Sequence, residues 1–347
     1  MSVADLFFFL SGEHENLPAS ELKAILETEG YTYEVSEKID QVLRLKADLS
    51  CASIVTQKAA FTRLCGIELF NCKAETSDII KAIGSTNLDQ VLKENETFVV
   101  RVKHVKDCAP NINGMILERK LGEIILNRVA KTSVKLKKPD KMLIGILTND
   151  RFIFGVKLAE IRSRPFVDRR PRKKPFFHPS AMPAKLARCM ANLAEPKKGE
   201  LVLDPFCGTG GMLIEAAYIG SRVLGLDVQR RMARGTLRNL AFFNVDPEGV
   251  IIGDARDLPI TSVDCVVTDP PYGKSATTMK RRIGQVVAEV LKSVHELLQK
   301  RHRVCMAAPK ELNIVSIGSA LGYKHLESHF VYVHRSLTRE IVVFEKV

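Results

Sequence analysis

Between residues 183 and 344 short apolar runs alternate with helix-patterned segments, and that rhythm restricts the fold more than any other feature of the chain. Residues 200–203, 223–226, 250–252, 263–268 and 303–307 read as strands, separated by helical patterns at 183–193, 212–218, 230–243, 282–299 and 311–321. Strands this short and apolar are buried on both faces, so the expectation is a mainly parallel α/β sheet between two helical layers. Residues 329–334 and 337–344, joined at Arg335-Ser336, predict an antiparallel hairpin at one edge. Residues 250–252 are expected at an open edge.

The first 158 residues follow no such rhythm. A strand at 6–10 leads to a helix at 19–29 with Leu22, Ile25 and Leu26 on one face and Gly30 beyond its end. Further patterns fall at 41–45, 56–65 and 77–83, then a strand at 97–103, a helix at 115–127 and strands at 133–136, 142–147 and 151–157. Mixed elements without a Gly-rich loop predict an α+β region. The apolar run at 6–10 lacks a basic flank and is too short for a membrane span. The eight cysteines include no C-x-x-C pair and no His pair follows at zinc spacing, so no metal is expected and the thiols suit a cytoplasmic protein.

Charge marks the join between the halves. The formal net charge is +12, and ten Lys/Arg stand between Lys157 and Arg188 against only Glu160 and Asp168. Residues 161–175 carry Arg162, Arg164, Arg169, Arg170, Arg172, Lys173 and Lys174 among Pro165, Pro171 and Pro175, which predicts an extended basic strap that contacts phosphates. A solvated spacer is the plainer alternative.

The run from Leu201 to Met212 reads strand, Gly-rich turn, helix start. Glycines let backbone approach a ligand where the chain turns sharply. Asp204 precedes the turn, where it can accept from the ammonium of an amino acid; a pyrophosphate site would not favour a carboxylate there. Asp227 ends the next strand, placed for ribose hydroxyls, and Asp254 ends the third, placed for an adenine amino group. Three acids at successive strand ends outline a nucleoside carrying an amino acid, which describes S-adenosylmethionine. Pro205, Phe206, Cys207, Gly208, Thr209, Gly210, Val228 and Ala255 complete the expected cofactor loops, with Cys207 read as loop packing.

The fourth strand runs into Asp269-Pro270-Pro271-Tyr272-Gly273. An exocyclic amine is a poor nucleophile because its lone pair is delocalised into the ring. Two acceptors on its hydrogens localise that pair: the Asp269 carboxylate and the Pro270 carbonyl, in a turn where proline offers no N–H. The restricted φ of Pro270 and Pro271 holds the turn for in-line transfer, and Tyr272 can stack on a flipped-out base.

At these residues the chain resembles the amino-methyltransferases with an Asn/Asp/Ser-Pro-Pro-aromatic motif. With what precedes it, the motif resembles the THUMP-domain tRNA guanosine N2-methyltransferases, the archaeal and eukaryotic enzymes acting at guanosine 10. Leu10-Ser11-Gly12-Glu13 resembles the start of their ferredoxin-like domain, and the segments at 97–103, 117–122 and 134–140 resemble successive THUMP segments. Residues 175–182, with His178, look like the segment that helps form their cofactor pocket. The resemblance implies a ferredoxin-like domain at 1–60, a THUMP domain at 61–158, a basic linker at 159–180 and a Rossmann-like class I methyltransferase domain with a seven-stranded sheet at 181–347. It also implies S-adenosylmethionine as cofactor, a THUMP domain that holds the acceptor end of tRNA, and a small zinc-binding activator protein as partner. Arg101, Lys103, Lys137, Lys138, Arg169, Arg170, Arg172, Lys173 and Lys174 are the candidate RNA contacts. Competing readings are a guanosine at position 6, a DNA amino-methyltransferase, and an RNA-binding adaptor that has lost activity.

Overall fold

The computed structural model describes residues 3–89, 91–271, 283–335 and 337–347. The first half of the chain forms β1 (Val3–Leu10), α1 (Leu17–Thr28), β2 (Tyr33–Ile39), β3 (Val42–Asp48), α2 (Cys51–Lys58), β4 (Thr62–Lys73), α3 (Thr76–Ser85), β5 (Thr97–His104), α4 (Gly114–Arg128), β6 (Ser133–Val134), β7 (Lys141–Thr148) and β8 (Arg151–Glu160). The second forms α5 (Arg164–Asp168), α6 (Ala184–Leu193), β9 (Leu201–Asp204), α7 (Gly211–Tyr218), β10 (Arg222–Asp227), α8 (Arg230–Phe242), β11 (Gly249–Ile252), β12 (Cys265–Thr268), α9 (Ile283–Leu297), β13 (Arg303–Pro309), α10 (Ile314–Ala320), β14 (Tyr323–His334) and β15 (Leu337–Lys346). No helix among the described residues is long and apolar enough to cross a membrane.

Packing divides the chain into two units, and the division interleaves in sequence. One contains residues 1–15, 31–56 and 62–161; the other contains 16–30, 57–61 and 162–347. The residues on either side of position 60 thus share one sheet, while α1 and the stretch at 57–61 belong with the C-terminal unit.

The first unit is α+β, as its mixed patterning predicts. Its eight strands lie in the order β2-β3-β1-β4-β8-β7-β5-β6. Alternate residues along each strand face opposite ways. Leu143, Leu147, Phe152 and Phe154 pack with Leu117, Leu121 and Ile125 of α4, while Ile144, Ile146 and Ile153 join Phe7 and Phe9 on the other face.

In the second unit seven strands lie in the order β11-β10-β9-β12-β13-β15-β14. The first five are parallel; β15 enters antiparallel between β13 and β14. The expected seven-stranded α/β sheet is present, with the hairpin at one edge and β11 at the other. Side chains of α6, α7 and α8 cover one face, and those of α9 and α10 the other. Chain order reverses between β9 and β12, and the carboxyl ends of strands flanking such a reversal open a crevice where ligands bind. Asp204 ends β9, and Asp269 directly follows β12.

The basic join departs from the extended strap. Phe166 of α5 is buried, and Pro171–Lys173 form a 3-10 turn. An apolar anchor and buried charge pairs fix this segment on the second unit, where self-repulsion alone would have stretched it.

Candidate active site

Between β9 and α7 the backbone turns through Gly208 and Gly210, whose φ angles of 53° and 74° are left-handed, a conformation that strains other residues. Cys207 lies beneath this turn, its amide bonded to the Leu226 carbonyl at 2.9 Å, and burial pushes its thiol well up. Its side chain packs beneath the turn. Pro205 and Thr209 are buried and Phe206 is half-buried.

Asp204 is 2% exposed. Its Oδ1 accepts from Thr268 Oγ1 at 2.7 Å and from the Phe206 amide at 3.1 Å. Burial, opposed by those two bonds, raises its carboxyl to about 7, with Asp269 and Asp227 adding to the rise. A buried acid held this high gains most from a cation placed beside it. The Thr268 bond also ties β12 to the start of the glycine turn.

Asp227 bridges two backbone amides: Oδ2 accepts from Gly208 at 3.0 Å and Oδ1 from Gln229 at 2.8 Å. It orders the glycine turn directly, and each oxygen keeps a lone pair for a further donor. Val228, beside it, is exposed and Ala255 is buried. Asp254 is clasped by Arg256, whose Nε lies 2.8 Å from Oδ1 and whose Nη2 reaches Oδ2. Arg256 is a site residue that strand-end reasoning missed, since a side chain two positions on folds back over the acid.

Asp269 is half-buried, Pro270 buried and Pro271 exposed; Tyr272 lies outside the described residues. Arg339 of β15 holds the Asp269 carboxylate, with Nη2 at 3.0 Å from Oδ2. β15 runs antiparallel to β13, so its first residues lie at the same end of the sheet as the carboxyl ends of the parallel strands. No local pattern signals this pairing, because Arg339 is seventy positions away and reaches the site only through that reversal.

Asn239 of α8, fully buried, accepts from the Phe176 amide at 2.9 Å and donates to the carbonyls of Phe176 at 2.8 Å and Thr209 at 2.9 Å. It clamps the segment before α6 to the glycine turn. The Phe176 ring covers Gly235, where a Cβ would stand 2.0 Å from it. Thr236 Oγ1 donates to the Gly208 carbonyl at 2.9 Å. These polar residues lie on the inner helix face with Ala233 and Leu240, a spacing that the sequence itself displays. His178 is exposed, its Nδ1 2.7 Å from Ser180 Oγ.

The candidate RNA contacts separate by burial. Lys103, Lys137, Lys138, Arg170, Arg172 and Lys173 are exposed; Lys173 pairs with Asp168 at 2.8 Å. Arg101 lies 3.3 Å from Glu118. Arg169 turns inward to a two-point contact with buried Glu215, at 2.6 and 3.1 Å, and Lys174 is buried.

A parallel sheet with its order reversal at β9 and β12, a glycine turn over a buried acid, and Asp-Pro-Pro at the next strand end define the class I methyltransferase fold equipped for an amino nitrogen. The family model for an RMKL-like methyltransferase domain matches residues 171–340, and one described as DNA methylase matches residues 30–237. The chain belongs to the tRNA (guanine(10)-N2)-dimethyltransferase family. It is 38% identical to the protein of that name from Methanothermobacter thermautotrophicus over 99% of this chain and 100% of the relative. With its namesake from Methanocaldococcus jannaschii it shares 34% identity over 98% and 99%. Among solved structures, TrmN from Thermus thermophilus matches with a TM-score of 0.56 at 19% identity, over 99% of this chain and 100% of that one, a likeness of fold.

Proposed function

We propose that this protein transfers a methyl group from S-adenosylmethionine to the exocyclic N2 of guanosine 10 in tRNA, and that it repeats the transfer to give the dimethylated base. The Thr268–Asp204 bond is the observation that carries the reading, because it puts the amine-binding Asp269-Pro270 turn beside the acid suited to the cofactor's ammonium. Asp269 Oδ1 and the Pro270 carbonyl accept from the two amine hydrogens and aim the lone pair at the sulfonium methyl, while Arg339 fixes the carboxylate through Oδ2. The cofactor, when bound, would supply a methyl whose S–C bond breaks with its pair passing to sulfur as the N–C bond forms, and the proton released by the amine would pass to water. The relatives' name supports two rounds. The test is mass spectrometry of nucleosides from tRNA incubated with the protein and labelled cofactor. N2,N2-dimethylguanosine at position 10 is expected; label at position 6, or in DNA only, would overturn the assignment. The DNA alternative draws on the match at residues 30–237, which ends before Asp254 and Asp269.

The first unit is proposed to be the tRNA-binding part, with a THUMP domain at 61–158 that holds the acceptor end. The exposed Arg170, Arg172 and Lys173 are proposed to contact phosphates. Neutralising these three should flatten the slope of log affinity against log salt by about 0.7–0.9 for each phosphate that loses its cation. An unmoved slope would leave them a solvated surface. A cytoplasmic location fits this substrate.

A small zinc-binding activator is proposed to cover the β11 edge. Open edges present unpaired N–H and C=O groups to a partner strand. Phe243 packs on the core, whereas Phe242 is 58% exposed and Ile252 is exposed on β11. Phe242→Asp is therefore expected to abolish co-purification with such an activator. An active monomer indifferent to both the substitution and the activator would remove the proposal.

A further inference from the structure

Lys174 is 8% exposed, and among the described residues its ammonium forms neither a hydrogen bond nor an ion pair. It stands over the glycine turn: a Cβ added to Gly211, the first residue of α7, would lie 3.4 Å from Nζ. The first-turn amides of a helix have no carbonyl partner within it and carry partial positive charge. An unpaired cation therefore stands beside a helix N-terminus.

The surrounding charges do not answer this cation. Glu215, one turn further along α7, is already engaged by Arg169 at 2.6 Å and Arg188 at 2.8 Å. Three buried or half-buried cations thus face one carboxylate. Burial lowers the Lys174 ammonium to about 8, with Glu215 opposing the fall and Arg169 adding to it. A cation this deep is expensive unless an anion joins it.

We propose that Lys174, together with the first-turn amides of α7, receives the α-carboxylate of the bound S-adenosylmethionine, opposite in charge to Asp204, which receives the ammonium. The inference rests on the cofactor reading above and moves Lys174 from the RNA contacts to the cofactor site. Burial decides between the two anions. The Lys174 ammonium stands beside the glycine turn proposed for the cofactor, and the residue's 8% exposure leaves little of it on a surface that RNA could meet. Arg169 acts at one remove, by occupying Glu215 so that Lys174 stays available.

The test measures calorimetric affinities of two ligands, S-adenosylmethionine and its decarboxylated analogue, which keeps the sulfonium, nucleoside and amine. Wild type is expected to bind the analogue at least about tenfold more weakly than the cofactor, consistent with loss of a charge-assisted contact. Lys174→Met should weaken the cofactor to the level of the analogue and leave the analogue's affinity unchanged. Equal loss for both ligands would make Lys174 a packing residue and overturn the proposal. So would unchanged cofactor affinity with weaker, less salt-dependent tRNA binding, which would return Lys174 to a phosphate. The wild-type ligand pair needs no substitution and decides the carboxylate contact even if the variant folds poorly. Failure of wild type to bind S-adenosylmethionine at all would instead sink the underlying function.

Discussion

Methyl transfer is expected to fall at least about a thousandfold when Asp269 is replaced by alanine, within the range that positioned acid–base groups contribute. Cofactor and tRNA affinities should stay within several-fold, because Asp269 acts on the nucleophile and the cofactor's proposed acids are Asp204, Asp227 and Asp254. Single-turnover kinetics beside calorimetric binding separates the two effects, and substantial turnover by the variant would end the proposed role. The structure adds a stability cost. Arg339 is 8% exposed, and Asp269→Ala takes from this buried guanidinium its contact at 3.0 Å. Breaking such pairs costs about 3–5 kcal/mol in buried cases and less at half-buried Asp269. Asp269→Asn keeps one acceptor oxygen while removing the charge, so it should retain more activity than alanine. An asparagine variant as inert as alanine would show that the charge itself is needed.

A fragment of residues 181–347 is expected not to fold as an isolated domain. Its helix α6 packs against α1 and the stretch at 57–61, with Leu17, Ala24 and Phe61 in one core with Ala187 and Met190. Exposing a Leu or Phe costs roughly 1.5–3 kcal/mol each. Glu21 is fully buried and accepts from the amides of Ala60 at 2.9 Å and Phe61 at 2.8 Å and from Asn192 Nδ2 at 2.8 Å. The fragment takes from Asn192 its contact to Glu21 and from Arg188 its contacts to the Gln57 and Lys58 carbonyls, while Arg188 keeps Glu215 at 2.8 Å. Orphaned groups cost about 1–3 kcal/mol each, a large share of the roughly 5–15 kcal/mol that holds a domain together. Circular dichroism should show no cooperative melt for the fragment; a cooperative melt at the full chain's temperature would refute the expectation.

Glu21 also gives the unit a pH signature. Burial raises its carboxyl to about 7, opposed by its hydrogen bonds and by Arg188. The folded state therefore binds its proton more tightly than the unfolded chain. Its contribution to stability declines as pH rises from the unfolded carboxylate range toward about 7, by at most about 1.4 kcal/mol per pH unit. Asp204 and Glu195 are raised in the same direction, so the informative quantity is the part of the slope removed by Glu21→Gln.

Local patterns in the sequence determined the α/β sheet, the glycine turn, the three strand-end acids and the Asp-Pro-Pro turn. Apolar periodicity and backbone chemistry act over a few residues, so these features can be read a few residues at a time. Three other features were decided only by packing. Arg339 reaches Asp269 because β15 reverses direction in the sheet, a register that no local pattern encodes. Residues 16–30 and 57–61 belong with the second unit because Glu21 finds its donors there, although chain order places them in the first 60 residues or beside them. Arg169 and Lys174 read as equivalent to Arg170 and Arg172 in a run of like charges. Burial separates them, since one meets Glu215 and the other faces the start of α7. Charge can be read from a residue's identity, but its partner depends on which distant surface folds against it.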